Sequence, residues 1–164
     1  MIVMIMTPAM AEEVLRIYEQ GIKSGLATFS TQLPSWAQWD SGHLKHSRFV
    51  AMDDEKIIGW AALSPVSDRC VYAGVAEASI YIDFEYHGKG VGSALLDELI
   101  NDSEKHGLWC LYAAILSENK SSLTLFRKKG FREIGYREKI AQVNNVWKDT
   151  ILFEKRSRKI HWPV

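Results

Sequence analysis

Glu77-Ala78-Ser79-Ile80-Tyr81-Ile82-Asp83-Phe84-Glu85-Tyr86-His87-Gly88-Lys89-Gly90-Val91-Gly92-Ser93 decides how the chain is read. From Glu77 to Phe84 the apolar Ile80, Ile82 and Phe84 alternate with Ser79, Tyr81 and Asp83, which predicts a strand. Three glycines at alternate positions follow, and then Val91, Leu95, Leu96, Leu99 and Ile100 recur at helical spacing. A strand that runs through a glycine-dense turn into an amphipathic helix suits an anion. Without side chains in the way, consecutive backbone N–H groups can approach it, and the helix N-terminus adds about half a unit of positive charge. Lys89, and His87 when protonated, would add attraction. A Walker A loop is excluded, because Gly90 stands where Ser or Thr would follow the Gly-Lys pair and Asp83 replaces the upstream glycine. A dinucleotide fingerprint starting at Gly88 is excluded too, since residue 93 is Ser.

Outward from that stretch, Met1 to Met6 reads as a first strand. Thr7 and Pro8 then open a helix with Ala11, Val14, Leu15, Tyr18 and Ile22 on one face, ending near Gly25. Trp36 and Trp39, three residues apart, suggest a short helical turn that serves packing, with a lid as the alternative. Arg48 to Met52 and Ile57 to Ser64 read as a hairpin around Asp53 to Lys56. Gly107 stops the helix after the glycine turn, Trp109 to Leu116 is a buried-type strand, and Asn119 to Lys129 is a helix closed by Gly130. Phe131 to Lys139 and Trp147 to Glu154 close the chain as a hairpin turning at Asn144-Asn145. The tail Lys155-Arg156-Ser157-Arg158-Lys159 reads as a solvated terminus.

The 164 residues suit one domain, residues 1–156, followed by a basic tail, 157–164. Apolar residues are 47% of the chain and charged ones 24%, enough to bury a core. Lys plus Arg equals Asp plus Glu at 20 each, so no field of one sign recruits nucleic acid or an anionic membrane. The apolar runs are too short for a membrane span, and Met1 to Met6 lacks the basic leader and cleavage site of a secretion signal. Two distant cysteines, Cys70 and Cys110, fit reduced thiols in a cytoplasm and offer no metal framework.

His87-Gly88-Lys89-Gly90-Val91-Gly92 resembles the pyrophosphate loop, Gln/Arg-x-x-Gly-x-Gly, of the GNAT acetyltransferases. Ala27-Thr28-Phe29, Gly59-Trp60-Ala61, Arg69 to Tyr72, Val75 to Ile82, Asn119, Gly130-Phe131 and Trp147-x-Asp149 extend the likeness from Met1 to about Arg156. They fall in the order of the branch that acetylates phosphinothricin, arsinothricin and methionine sulfoximine or sulfone. The resemblance implies an α/β (α+β) GNAT fold: a mixed, mostly antiparallel sheet of six to seven strands with about four helices, splayed open after the strand Glu77 to Phe84. Acetyl-CoA would enter the gap. Backbone groups of Ile80, Tyr81 and Ile82 would pair with its pantetheine arm, His87, Gly88, Lys89, Gly90, Val91, Gly92 and Ser93 would hold its pyrophosphate, and Asn119 would lie near the arm. The branch also suggests a homodimer.

The resemblance makes Glu77 the catalytic base that takes the proton of the acceptor amine, with a strand-end salt bridge as the alternative role. It places an oxyanion contact at the Ile80 N–H. Phe29, Arg69, Tyr72 and Trp147 match positions in or beside an acceptor pocket in which Arg69 could clamp an acidic group, with a solvated loop arginine as the alternative role. Two departures stand out. Phe126 occupies the place of a Tyr or His that could protonate the leaving thiolate, and Ala73 replaces a basic residue of close relatives. The leading function is therefore an acetyl-CoA-dependent N-acetyltransferase for the α-amino group of a small amino-acid analogue. The alternatives are transfer to a polyamine, an aminoglycoside or a protein N-terminus, or a non-catalytic acyl-CoA-binding module.

Overall fold

The computed structural model describes residues 1–162. Its strands are β1 (Ile2–Ile5), β2 (Phe49–Asp53), β3 (Lys56–Pro65), β4 (Val75–Ile82), β5 (Cys110–Leu116), β6 (Arg132–Val143) and β7 (Val146–Arg156). Its helices are α1 (Ala11–Ser24), α2 (Trp36–Gly42), α3 (Val91–Lys105) and α4 (Lys120–Lys128). All seven strands join one sheet in the order β1-β2-β3-β4-β5-β7-β6. Only β4 and β5 run parallel.

Helices cover both faces of the sheet. Val91, Leu95, Leu96 and Leu99 of α3 and Leu123 and Phe126 of α4 pack with Ala76, Ala78, Leu111, Ala113, Ile115, Ile151 and Phe153. Burying each of the large apolar side chains contributes about 1.5–3 kcal/mol. On the opposite face Val14 and Ile17 of α1 and Trp39 of α2 pack with Val50 and Trp60. Trp36 stacks on Trp39 at 4.8 Å and Trp60 on Tyr81 at 4.7 Å, with Trp39 and Trp60 meeting edge to face, so an aromatic column ties α2 to β4. Ser35 and Gln38 cap α2 reciprocally. The packing role expected for the two tryptophans therefore has a full set of partners.

Element ends deviate from the sequence reading in instructive places. Thr7-Pro8 opens a 3-10 turn, Pro8–Met10, before α1, and the Thr7 side chain makes no cap. β4 starts two residues earlier than the alternation predicts and stops at Ile82, because Asp83 turns the chain into a 3-10 turn over Phe84–Tyr86 by accepting from the Glu85 N–H. The same carboxylate, 2% exposed, binds Arg16 of α1 at 2.8 Å, which fixes the end of β4 against that helix. The closing hairpin turns through Asn144 and Asn145, both with positive φ (49° and 63°), the backbone that a two-residue hairpin turn requires. The start of the tail is docked: Ser157 is 7% exposed and its hydroxyl donates to Glu104 at 2.7 Å.

Candidate active site

The β4–β5 ladder holds only three pairs, Val75 with Cys110, Ala76 with Leu111 and Glu77 with Tyr112, and then the strands separate. The opening thus lies within β4 at Glu77 rather than after the strand. On its other edge β4 stays paired with β3 as far as Ile82 opposite Gly59. The Asp83 N–H donates to Ile58 of β3 at 2.9 Å. Backbone groups alternate in direction along an antiparallel strand. The N–H and C=O of Ile80 and Ile82 therefore face the gap, while Tyr81 turns its own toward β3. The Ile82 C=O is met by the His87 imidazole, so the N–H and C=O of Ile80 and the N–H of Ile82 are what an extended amide-bearing ligand can use.

Where β4 ends, the glycine turn continues the cleft. Gly88 and Gly90 have φ of +74° and +83°, and a Cβ at either would point into open space, so the backbone there is both glycine-specific and uncovered. The first intrahelical bond of α3 is Ala94 N–H to Gly90 C=O at 3.1 Å, which leaves the N–H groups of Val91, Gly92 and Ser93 as orphan donors at the positive end of the helix. Gly92 has a second reason to be small: a Cβ would come within 3.0 Å of Leu125, across the contact between α3 and α4. Lys89 lies over the Tyr86 ring at 4.7 Å, and the His87 imidazole bonds to the Ile82 carbonyl at 3.0 Å. These groups fit an acyl-CoA: orphan N–H groups for a diphosphate and strand-edge amides for its arm.

Two adjoining cavities line this path. One lies among Tyr86, His87, Gly90, Ser93, Thr124 and Lys128; the other lies among Leu26, Ile80, Tyr81, Phe84 and Asn119. Ile82, His87, Ser121 and Leu125 border both. Asn119 is spent on structure from both ends of its amide: it accepts from Ser122 N–H as the cap of α4 and donates to Leu26 C=O at 3.1 Å, closing the far wall. Lys128 and Thr124 were not legible as site residues, because only the approach of α4 to the α3 N-terminus brings them to the anion end.

Glu77 is half-buried on the face of β4 that it shares with Ser79 and Tyr81. Burial raises its pKa above the usual carboxylate range, against the opposing pull of the Ala114 N–H of β5. Among the described residues it has no salt bridge. Tyr112 sits directly opposite on β5 and was missed in the sequence, where the segment reads only as a buried strand. Its acidity is weakened by burial and by the Glu77 charge, with Arg137 of β6 opposing. Tyr81 is committed to packing; its hydroxyl donates to Ala27 at 3.2 Å and burial pushes its pKa up.

Of the acceptor-pocket candidates, Arg69 and Tyr72 are together, the guanidinium 5.8 Å from the ring centre. Phe29 and Trp147 are 40% and 55% exposed, and among the described residues neither makes a ring contact with that pair. Phe126 is 3% exposed and packs edge to face on Phe131, so it supplies no acid to the cleft. His46, Asp102 and His106 cluster away from the cleft, but the two imidazoles lie face to face at 4.0 Å and their Nδ1 atoms are taken by Ser47 and the Asp102 carbonyl. In-plane lone pairs of parallel rings do not converge on one ion.

The Acetyltransferase (GNAT) family profile matches residues 11–131. YwnH of Bacillus subtilis, named as a candidate phosphinothricin acetyltransferase, is 36% identical over 138 residues, 81% of this chain and 85% of that protein. The phosphinothricin N-acetyltransferase of Streptomyces coelicolor is 33% identical over 109 residues, 65% of this chain and 63% of that protein. The crystal structure of a phosphinothricin acetyltransferase from Sinorhizobium meliloti in complex with acetyl-CoA superposes with a TM-score of 0.85 at 26% identity, covering 98% of this chain and 95% of that one. A sheet that parts at Glu77 above a glycine turn with free amides, in a chain matched by this profile over most of its length, belongs to the acetyltransferase (GNAT) family.

Proposed function

We propose that the protein transfers an acetyl group to the α-amino group of a small amino-acid analogue of the phosphinothricin, arsinothricin or methionine sulfoximine type, with Glu77 as the base. The observation that carries this reading is a half-buried carboxyl with a raised pKa, with no salt bridge among the described residues, at the point where the β4–β5 ladder stops. The names of the relatives supply the acceptor class.

Acetyl-CoA, the co-substrate of the family, supplies the acetyl group as a thioester. Glu77 takes a proton from the acceptor ammonium, directly or through one water, and so frees the lone pair that attacks. The Ile80 N–H, turned into the gap, faces the negative charge that grows on the acyl oxygen. The departing thiolate takes its proton from water or from the amine, since Phe126 has none to give. Gly88 to Ser93 hold the diphosphate and Ile80 and Ile82 align the arm, so that the chain's contribution is mostly positioning.

Arg69, stacked by Tyr72, is the candidate clamp for one acidic group of the acceptor. Homodimerisation is part of the proposal, through the outer hairpin, where Ile134, Tyr136, Ile140, Val146 and Trp147 are all at least 40% exposed. The free thiols of Cys70 and Cys110 suit a reducing cytoplasm, and no helix is long and apolar enough to cross a membrane. The deciding experiment incubates the protein with acetyl-CoA and each of phosphinothricin, arsinothricin and methionine sulfoximine and follows free thiol. Release with at least one supports the reading. Release only with a polyamine, an aminoglycoside or an N-terminal peptide, or tight CoA binding with no transfer at all, overturns it.

A further inference from the structure

Trp147-x-Asp149 stands out in the sequence, and the acetyl-transfer chemistry leaves Asp149 unused. Its carboxylate binds a distortion of the neighbouring strand. β6 pairs regularly with β7 through Gly135, Tyr136 and Arg137, opposite Leu152, Ile151 and Thr150, and then slips so that the next pair is Ala141 with Lys148. Asp149 holds the looped-out segment: one oxygen accepts the Lys139 N–H at 2.7 Å and the other accepts the Tyr136 hydroxyl. Lys139 takes a positive φ of 47° in that bulge. Bulges of this kind re-aim side chains beside them, and the side chain at its start is Arg137.

Register places Arg137 on a defined face. Residues opposite one another in a sheet point the same way, and successive residues alternate. Arg137 lies opposite Thr150, Thr150 opposite Leu116, and Leu116 is four residues beyond Tyr112, which lies opposite Glu77. Arg137, Tyr112 and Glu77 thus share the face away from α3 and α4. Between Glu77 and Arg137 the backbone offset is about 13 Å along the strands and about 14 Å across three inter-strand spacings, a gap that the Arg137 and Glu77 side chains shorten from its two ends, with Tyr112 lying along it. Arg137 is exposed, and among the described residues it has no ion pair or hydrogen bond. Its charge nevertheless registers at the Tyr112 phenol. A cation without a partner, on the face of the base, beyond a phenol with no hydrogen bond among the described residues, is arranged for an anion that arrives from outside.

We propose that Arg137 binds the acidic group at the far end of the acceptor from its reacting amine, with Tyr112 between them and Asp149 as a positioning residue acting through the bulge. This rests on the reading given under Proposed function and makes it narrower. A guanidinium grips a phosphinate or carboxylate with two parallel N–H bonds, and Arg137 would supply the cation that Ala73 does not. The preferred acceptor then carries a negative charge on its side chain as well as an α-carboxylate.

The test compares two acceptors that differ at that end: phosphinothricin, whose side chain is anionic, and methionine sulfone, whose side chain is neutral. Arg137→Ala should raise KM for phosphinothricin at least tenfold while kcat stays within about threefold and the KM for methionine sulfone stays within about twofold. Arg137→Lys should restore part of the difference, and Asp149→Ala should shift the same KM in the same direction by less. Equal effects on both acceptors, or none, with the unsubstituted protein active, overturn the assignment of Arg137 and leave the acetyl-transfer reading standing. An unsubstituted protein that acetylates neither acceptor while binding acetyl-CoA overturns the acceptor reading itself, and the assignment with it.

Discussion

The cleft has two ends built in different ways. At the proposed diphosphate end the groups on offer are main-chain amides of one continuous segment, His87 to Ser93, whose direction is set by two left-handed glycines and a helix start. At the proposed acceptor end they are side chains from β4, β5, β6 and the loop before β4: Glu77, Tyr112, Arg137 and Arg69. A main-chain site is insensitive to side-chain identity except where a Cβ obstructs it, so it tolerates drift and binds one fixed cofactor. A side-chain site changes with each substitution, which suits an acceptor that differs between relatives. Substitutions at the two ends should therefore separate cleanly, one set acting on acetyl-CoA affinity and the other on turnover and acceptor KM.

The largest effect belongs to the acceptor end. Glu77→Gln keeps the shape of the side chain and removes the base, so kcat should fall by about 10²–10⁴-fold with acetyl-CoA affinity by calorimetry unchanged. The same substitution has a signed effect on stability. A carboxyl whose pKa is raised on folding binds its proton more tightly in the native state, so its contribution is present below the unfolded-state pKa and is lost as pH rises through the folded one. Melting curves of the Gln variant and the parent should coincide at acid pH and separate at neutral pH, with Gln the more stable. The acid limb of the parent's kcat/KM profile should lie above the ordinary carboxylate range. A Gln variant that melts lower than the parent at neutral pH would place Glu77 in a stabilising contact and not in a desolvated one.

At the diphosphate end, Gly90→Val adds a β-branched side chain at φ +83° and fills the space over the amides. Acetyl-CoA affinity should drop at least tenfold, and the rate at saturating acetyl-CoA should change far less. Gly88→Ala, with a smaller side chain at φ +74°, should follow the same pattern more weakly. Were either to cut saturated turnover as deeply as the loss of Glu77, the two ends would not be the separate devices described here.

The same contrast governs what the sequence discloses. Local chemistry is visible in it: Gly88, Gly90 and Gly92 advertise the turn, Asn119 and Gly130 bracket α4, and the Asn144-Asn145 pair announces the closing turn. The pairing of β4 with β5 is not visible. Periodicity assigns Glu77 and Tyr112 to strands, yet that they face each other as the last pair of a three-pair ladder depends on long-range register. Arg137 is hidden for a further reason, since the bulge after it breaks the alternation a reader would use and ends the predicted strand at Lys139, whereas β6 resumes and runs to Val143. The docking of Ser157 on Glu104 escapes as well, because a run of basic residues reads as solvated whatever carboxylate its one serine meets.

Asn119 sits between the two ends and should give an intermediate result. Removing its side chain in Asn119→Ala deletes the α4 cap, worth about 1 kcal/mol, and releases Leu26 from the cleft wall. Thermal melting should register the loss, and both acetyl-CoA affinity and acceptor KM should weaken by a few-fold, since the wall borders both.

The smallest expected effect is at Lys128, which sharpens the distinction because it is a side chain at the main-chain end. It lines the cavity at the α3 N-terminus, and among the described residues it makes no salt bridge. Its attraction for a diphosphate acts through solvent at the rim, where a charge is screened over about 8 Å at physiological ionic strength. Lys128→Ala should weaken acetyl-CoA binding about two- to fivefold at low salt, and the difference from the parent should close as salt is added. In the proposed reading the amides of Val91 to Ser93 would hold the anion by short hydrogen bonds, so the affinity that survives in high salt measures their share. A Lys128 contribution that persisted undiminished in high salt would mean a direct, desolvated contact and would make this end, too, partly a side-chain site.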